Sequence, residues 1–135
     1  MTETTTPAQA PFGLSTIGQI LVPVRDVEAA TSFYRDALGL PFLFAFPGMA
    51  FFDADGVRLY LGVPESPEFG GPITLYFRVP DIQAAVATLE ARGVVFRGSP
   101  HVTHRDPTYE LWLCFADDPD GNHIALMSEV PIAPA

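Results

Sequence analysis

The feature that most constrains the fold is an internal repeat. The stretch 17–40, IGQILVPVRDVEAATSFYRDALGL, returns at 73–94 as ITLYFRVPDIQAAVATLEARGV. At an offset of 55 residues, Gln19-Ile20-Leu21-Val22 falls on Thr74-Leu75-Tyr76-Phe77, Asp26 on Asp81, and Ala29-Ala30 on Ala84-Ala85. One residue is then dropped, so that Gly39 meets Gly93 and Phe42 meets Phe96. A further echo closes each half, DGVRLYL at 55–61 against DGNHIAL at 120–126. A period this long means two copies of one supersecondary unit rather than a solenoid.

Both copies follow one pattern. An apolar, β-rich run (17–24; 73–79) breaks at Pro23 or Pro80, and Asp26 or Asp81 then stands where a carboxylate caps the free amides of a helix's first turn. Apolar residues at helical spacing follow, Val27, Ala30, Tyr34 and Leu38 in one copy and Ile82, Ala85 and Leu89 in the other, and each helix ends at a Gly. Strands are expected at 40–46, 50–53 and 57–63, then at 94–98, 110–116 and 123–128. The predicted class is therefore α+β, with two tandem βαβββ units.

A chain of 135 residues supports one core, so the two halves share a single fold. The expected organisation is a flexible tail at 1–15, one domain at 16–130 with units at 16–63 and 73–130, and a linker at 64–72, where three Pro and two Gly disfavour regular structure. The tail lacks the basic and apolar regions of a secretory signal, and no apolar run approaches a membrane span, so a cytoplasmic protein is expected. The formal net charge is -9, and the seven cationic residues are all Arg. Without Lys there is no Schiff-base chemistry, and without a basic face no nucleic-acid partner is expected. The lone Cys114 forms no internal disulfide; with Trp112 it lies in a strand apolar on both faces and reads as core.

Strand side chains alternate with a period of two, which sorts the residues by face. One face takes Ile20, Val22, Val24, Leu59, Leu61, Leu75, Phe77, Ile124 and Leu126 and belongs against the helices. The other takes Gln19, Arg58, Tyr60, Thr74, Tyr76, Arg78, His123 and Met127, which are the candidate ligand-binding residues. That face lacks Lys, Glu and Asp and is rich in Tyr, Gln and His, as suits a concave site of mixed polarity rather than a solvated sheet.

Two other clusters read as loops. His101 and His104 lie between Pro100 and Pro107, which disfavour a helix that would align them as a metal pair, so a surface loop is expected. The run Asp117-Asp118-Pro119-Asp120-Gly121-Asn122 lacks the alternate-position oxygens and closing Glu of a calcium loop and reads as a turn.

The paired units, the segment FYRDALGL at 33–40 and DPDGNHIAL at 118–126 resemble the vicinal oxygen chelate superfamily, the group of glyoxalase I, bleomycin-resistance proteins, fosfomycin-resistance enzymes and extradiol dioxygenases. The resemblance implies an open, mostly antiparallel, barrel-like sheet with helices on its outer face and a site on its concave side. It places the family's metal ligands at Gln19, Tyr60, Thr74 and Ala125, where Tyr binds metals in restricted cases, Thr weakly and Ala not at all. It therefore implies a metal-free protein, similar to the bleomycin-resistance type, that holds a small organic molecule. The alternative is an isomerase, lyase or dioxygenase with an atypical divalent metal site drawing on Gln19 and His123, or a metal-free acid–base site of His123 and Tyr60. No cofactor is expected, and a homodimer is, because superfamily members pair to close their sites. Arg58 and Arg78 either pair with an acidic neighbour such as Asp53 or hold a small anion or an electron-rich aromatic.

Overall fold

The computed structural model describes residues 11–132, so the first ten residues of the expected tail lie outside the described part. The first unit runs β1 (Gln19–Pro23), α1 (Val27–Ser32), β2 (Phe42–Phe46), β3 (Met49–Ala54) and β4 (Val57–Gly62). The second runs β5 (Thr74–Arg78), α2 (Ile82–Ala91), β6 (His101–Arg105), β7 (Tyr109–Asp117) and β8 (His123–Pro131). Both helices start as the sequence requires: Asp26 accepts from the amides of Glu28 and Ala29, and Asp81 from that of Ala84. The chain turns after each helix at a glycine of positive φ, Gly39 at 79° and Gly93 at 97°.

The residue by which the two repeats differ has a structural address. α1 continues into a π-helical turn, Phe33–Ala37, in which Leu38 N–H donates to Phe33 C=O. A π turn absorbs one extra residue without ending the helix. The longer first repeat thereby delivers its Gly to the place held by Gly93 in the second.

The α+β architecture of two βαβββ units stands, and the barrel-like sheet takes the form of two open four-stranded sheets, ordered β1-β4-β3-β2 and β5-β8-β7-β6. In each, the first strand runs parallel to the last and the remaining pairs are antiparallel. The expectation for the second unit needs one correction. The segment 94–98 contributes only a single bridge, Phe96 to Ala116, while the supposed loop around His101 and His104 forms β6. Pro100 and Pro107 fall just outside that strand, so neither removes a ladder donor, and nine-residue β7 offers the edge on which it pairs. The linker holds one 3₁₀ turn, Pro67–Phe69.

Parity places the core as expected. Val22, Val24, Ala30, Tyr34, Ala50, Phe52, Leu59 and Leu61 pack with Ile124 from the other unit, and Ile82, Val86, Leu89, Val94, Cys114, Ala116 and Leu126 form a second cluster. Burial pushes the Cys114 thiol's ionisation up, consistent with an inert core cysteine.

A buried polar staple joins the units. Tyr34 Oη donates to Asp118 Oδ2 at 2.8 Å, and Asn122 Nδ2 donates both to the same oxygen, at 2.9 Å, and to Pro23 C=O, at 2.8 Å. Asn122 Oδ1 in turn accepts from Ile73 N–H at 3.0 Å. Burial, reinforced by the Asp118 carboxylate, raises the Tyr34 hydroxyl's ionisation far above the ordinary tyrosine range. The acidic run is the expected turn, and its Asp118 and Asn122 are interior.

Candidate functional site

The eight candidate residues all lie on strands, and parity assigns them to the sheet faces away from the helices. They fall into two groups. Gln19, Arg58 and Tyr60 belong to the first sheet, and Thr74, Tyr76, Arg78, His123 and Met127 to the second. Among the described residues no hydrogen bond or ring contact joins one group to the other.

On the first sheet Gln19 is the register partner of Arg58, and its Oε1 accepts from Arg58 Nε at 3.0 Å. The guanidinium carbon of Arg58 stands 5.6 Å from the centre of the Phe51 ring. Tyr60 stacks on the other register neighbour, Phe51, with centroids 5.1 Å apart and an interplanar angle of 11°. Phe51 then contacts Phe44 at 4.8 Å and Phe46 at 6.4 Å. The result is an aromatic ladder of Tyr60, Phe51, Phe44 and Phe46 across three strands, with a cation beside Phe51. Phe44 and Phe46 are 39% and 58% exposed, too open for core residues.

The alternation applied to β1, β4, β5 and β8 does not reach the three phenylalanines of β2, and a strict period misplaces them. Phe42, Phe44 and Phe46 share a face in an ideal strand, yet a bulge between Phe42 and Phe44 sets Phe42 against the fully buried Phe52 and Phe44 against Phe51. Gly62 is also part of the site. A Cβ there would stand 2.6 Å from the Tyr60 ring, so the glycine provides the seat on which that ring lies.

The two arginines differ. Arg78 meets Glu129 at 3.6 Å, an exposed pair on the second sheet. Arg58 makes no ion pair among the described residues, because Asp53 turns instead to the Gly56 amide at 2.9 Å.

On the second sheet Tyr76 and Phe115 meet edge to face at 6.2 Å, on either side of their shared register neighbour Ala125. Thr74 pairs with His123, and Arg78 with Met127. His123 Nδ1 lies 2.8 Å from Asp117 Oδ1, and Arg97 Nη2 lies beside both. The His123 hydrogen bond, supported by Arg97, holds the Asp117 carboxyl below the usual carboxylate range. The sequence pattern does not bring Asp117 and Arg97 to this face. Asp117 sits one place before the turn motif, and its parity on β7 was the signal available.

At the four positions to which the resemblance assigns metal ligands, Gln19 Oε1 already accepts from a guanidinium, Tyr60 is stacked, Thr74 offers a hydroxyl and Ala125 has no donor atom. Such a set does not fit a catalytic divalent metal, which generally takes three protein ligands. Among the described residues no three His, Cys, Asp or Glu side chains converge as metal ligands.

Two clefts lie between the units, one of them against α2. One of about 560 Å³ is walled by Ile20, Leu59, Leu75 and Phe77, and one of about 470 Å³ by Leu38, Val79, Leu89 and Leu126. They meet at Leu40, Phe77 and Arg78. No helix among the described residues is long and apolar enough to cross a membrane.

Residues 16–126 match the family described as the Glyoxalase/Bleomycin resistance protein/Dioxygenase superfamily. Among solved structures, TnmS3, an antibiotic binding protein from Streptomyces sp. CB03234, is 28% identical with a TM-score of 0.70, over 88% of this chain and 99% of that one. A superfamily member from Sphaerobacter thermophilus is 28% identical with a TM-score of 0.66, over 86% and 98%. A lactoylglutathione lyase from Agrobacterium tumefaciens is 23% identical with a TM-score of 0.69, over 86% and 95%, a likeness of fold. No curated protein matches the sequence.

Proposed function

The chain belongs to the glyoxalase/bleomycin resistance protein/dioxygenase superfamily, and from that premise we propose that it binds a small, planar, electron-rich or anionic aromatic molecule without a divalent metal. The observation that carries this reading is the aromatic ladder of the first sheet with Arg58 beside its Phe51. Stacked and edge-on rings supply large contact area at little entropic cost, and a guanidinium bound only to a neutral amide retains its attraction for a carboxylate, sulfonate or phenolate. The reading agrees with the antibiotic binding of TnmS3 at the level of ligand class, a small organic molecule. The unsuitable donor set at Gln19, Tyr60, Thr74 and Ala125 supports the metal-free part.

The protein works as a cytoplasmic homodimer in this reading. A ladder with Phe46 58% exposed on an open sheet is half of a site, and a second copy related by twofold symmetry is the commonest way to cover such a face. Light scattering at micromolar concentration gives twice the chain mass; a monomer mass removes this part.

The binding reading is tested by a thermal-shift screen of anionic against cationic planar aromatics on the wild type, Arg58→Ala and Arg78→Ala. Anions stabilise the wild type and Arg78→Ala but lose about tenfold in affinity on Arg58→Ala. Stabilisation by cations alone, indifferent to Arg58, defeats the proposal. So does one tight equivalent of Zn²⁺, Ni²⁺, Mn²⁺ or Fe²⁺ bound through Gln19, Tyr60 or His123.

A further inference from the structure

We infer that the second sheet carries a hydrogen-bond acceptor site for an aromatic hydroxyl, formed by His123 Nε2 and set in place by Asp117 and Arg97. This inference rests on the aromatic-ligand reading above and specifies a group that the ligand carries.

Three atoms define the arrangement. His123 Nδ1, Asp117 Oδ1 and Arg97 Nη2 lie in mutual contact, with Nδ1 2.8 Å from the carboxylate oxygen and 2.9 Å from the guanidinium nitrogen. If Nδ1 were unprotonated, its lone pair would face the carboxylate oxygen, two acceptors at hydrogen-bond distance. An unprotonated Nδ1 would accept from Arg97 at 2.9 Å; with the proton on Nδ1 the imidazole and Arg97 both donate to the ionised Oδ1, the stronger, charge-assisted acceptor. The His123 hydrogen bond, with Arg97 behind it, holds the carboxyl low, and the carboxylate fixes the imidazole's tautomer. A ring protonated on Nδ1 alone leaves Nε2 with a lone pair. Among the described residues nothing donates to it.

The surroundings select the ligand. Along β8 the residue two positions on from His123 is Ala125, flanked on the neighbouring strands by Tyr76 and Phe115. Two residues of strand span about 7 Å, roughly the length of a fused bicyclic aromatic. Tyr76, 55% exposed, and its edge-to-face partner Phe115 offer apolar surface to the rings of such a molecule. Its hydroxyl then donates to Nε2. A carboxylate or ether at the same position offers that nitrogen no proton, so this sheet prefers a hydroxyl while Arg58 on the first sheet prefers an anion. Asp117 and Arg97 are positioning residues that act through His123.

The test uses 2-naphthol and its non-donating analogue 2-methoxynaphthalene, together with ¹⁵N NMR of the His123 ring. We expect the wild type to show the Nδ1–H tautomer and to bind 2-naphthol about tenfold more tightly than the methyl ether. In His123→Ala the two compounds bind equally, with the ether's affinity kept. In Asp117→Ala the tautomer moves toward Nε2–H and the preference falls. An Nε2–H tautomer in the wild type, or a preference for the hydroxyl that survives His123→Ala, overturns this inference alone. Binding of neither compound overturns the aromatic-ligand reading itself, and this inference with it.

Discussion

Replacing Tyr34 by Phe tests the staple between the two units at a single atom. The ring stays in the core beside Phe33 and Phe52, and only the hydroxyl's 2.8 Å bond to Asp118 Oδ2 is lost. The carboxylate keeps three donors, the Asn122 side-chain amide and the main-chain amides of Asp120 and Asn122, so it is not orphaned. A hydrogen bond to a charged, buried acceptor contributes about 2 kcal/mol, a substantial part of a small domain's stability. Urea unfolding at neutral pH should show that loss with the slope unchanged. The same hydroxyl then sets a pH signature. Its ionisation is raised in the folded protein, so its contribution is complete below the unfolded value near pH 10 and is lost as pH rises toward the folded value. Above about pH 10 the wild type loses roughly 1.4 kcal/mol per pH unit from this group alone, and Tyr34→Phe does not. The two unfolding curves should therefore converge near about pH 11.5. A gap of less than about 0.5 kcal/mol at neutral pH, or one that persists unchanged in alkali, refutes the reasoning.

Gly62→Ala should leave the chain folded but displace the Tyr60 ring from its stack on Phe51, lowering affinity for a planar aromatic; unchanged near-ultraviolet dichroism would show that the ring never lay on the glycine. Asp117 titrates low in the folded chain, so its contribution is present above about pH 4 and lost as pH falls further. Acid unfolding of Asp117→Asn should accordingly show a shallower decline below that pH than the wild type, and identical acid limbs would contradict the assigned contacts.

Much of the fold is legible in the chain itself because a repeat states it twice. Asp26 and Asp81 cap helices, Gly39 and Gly93 end them, and the alternation along β1, β4, β5 and β8 separates the core face from the candidate face. What stayed hidden depends on contacts between distant residues or on breaks in a period. Asp118 and Asn122 read as part of a turn, and only the approach of Tyr34 and Pro23 from the other unit makes them interior. The bulge in β2 cannot be counted from FLFAF, yet it brings Phe44 into the ladder. β6 was masked by flanking prolines that stop short of the strand. Whether Arg58 or Arg78 holds an ion pair was undecidable from spacing, because Asp53 had two neighbours to choose between and took the Gly56 amide.

The measurement that tests the central claim most directly is NMR mapping of a planar aromatic carboxylate, 2-naphthoate, titrated into the wild-type protein. The account predicts that the shifted resonances cluster on Phe44, Phe51, Arg58 and Tyr60 of the first sheet, and that the cluster disappears in Arg58→Ala. Shifts concentrated instead on Leu38, Leu40, Phe77 and Leu89, in the clefts between the units, would contradict it.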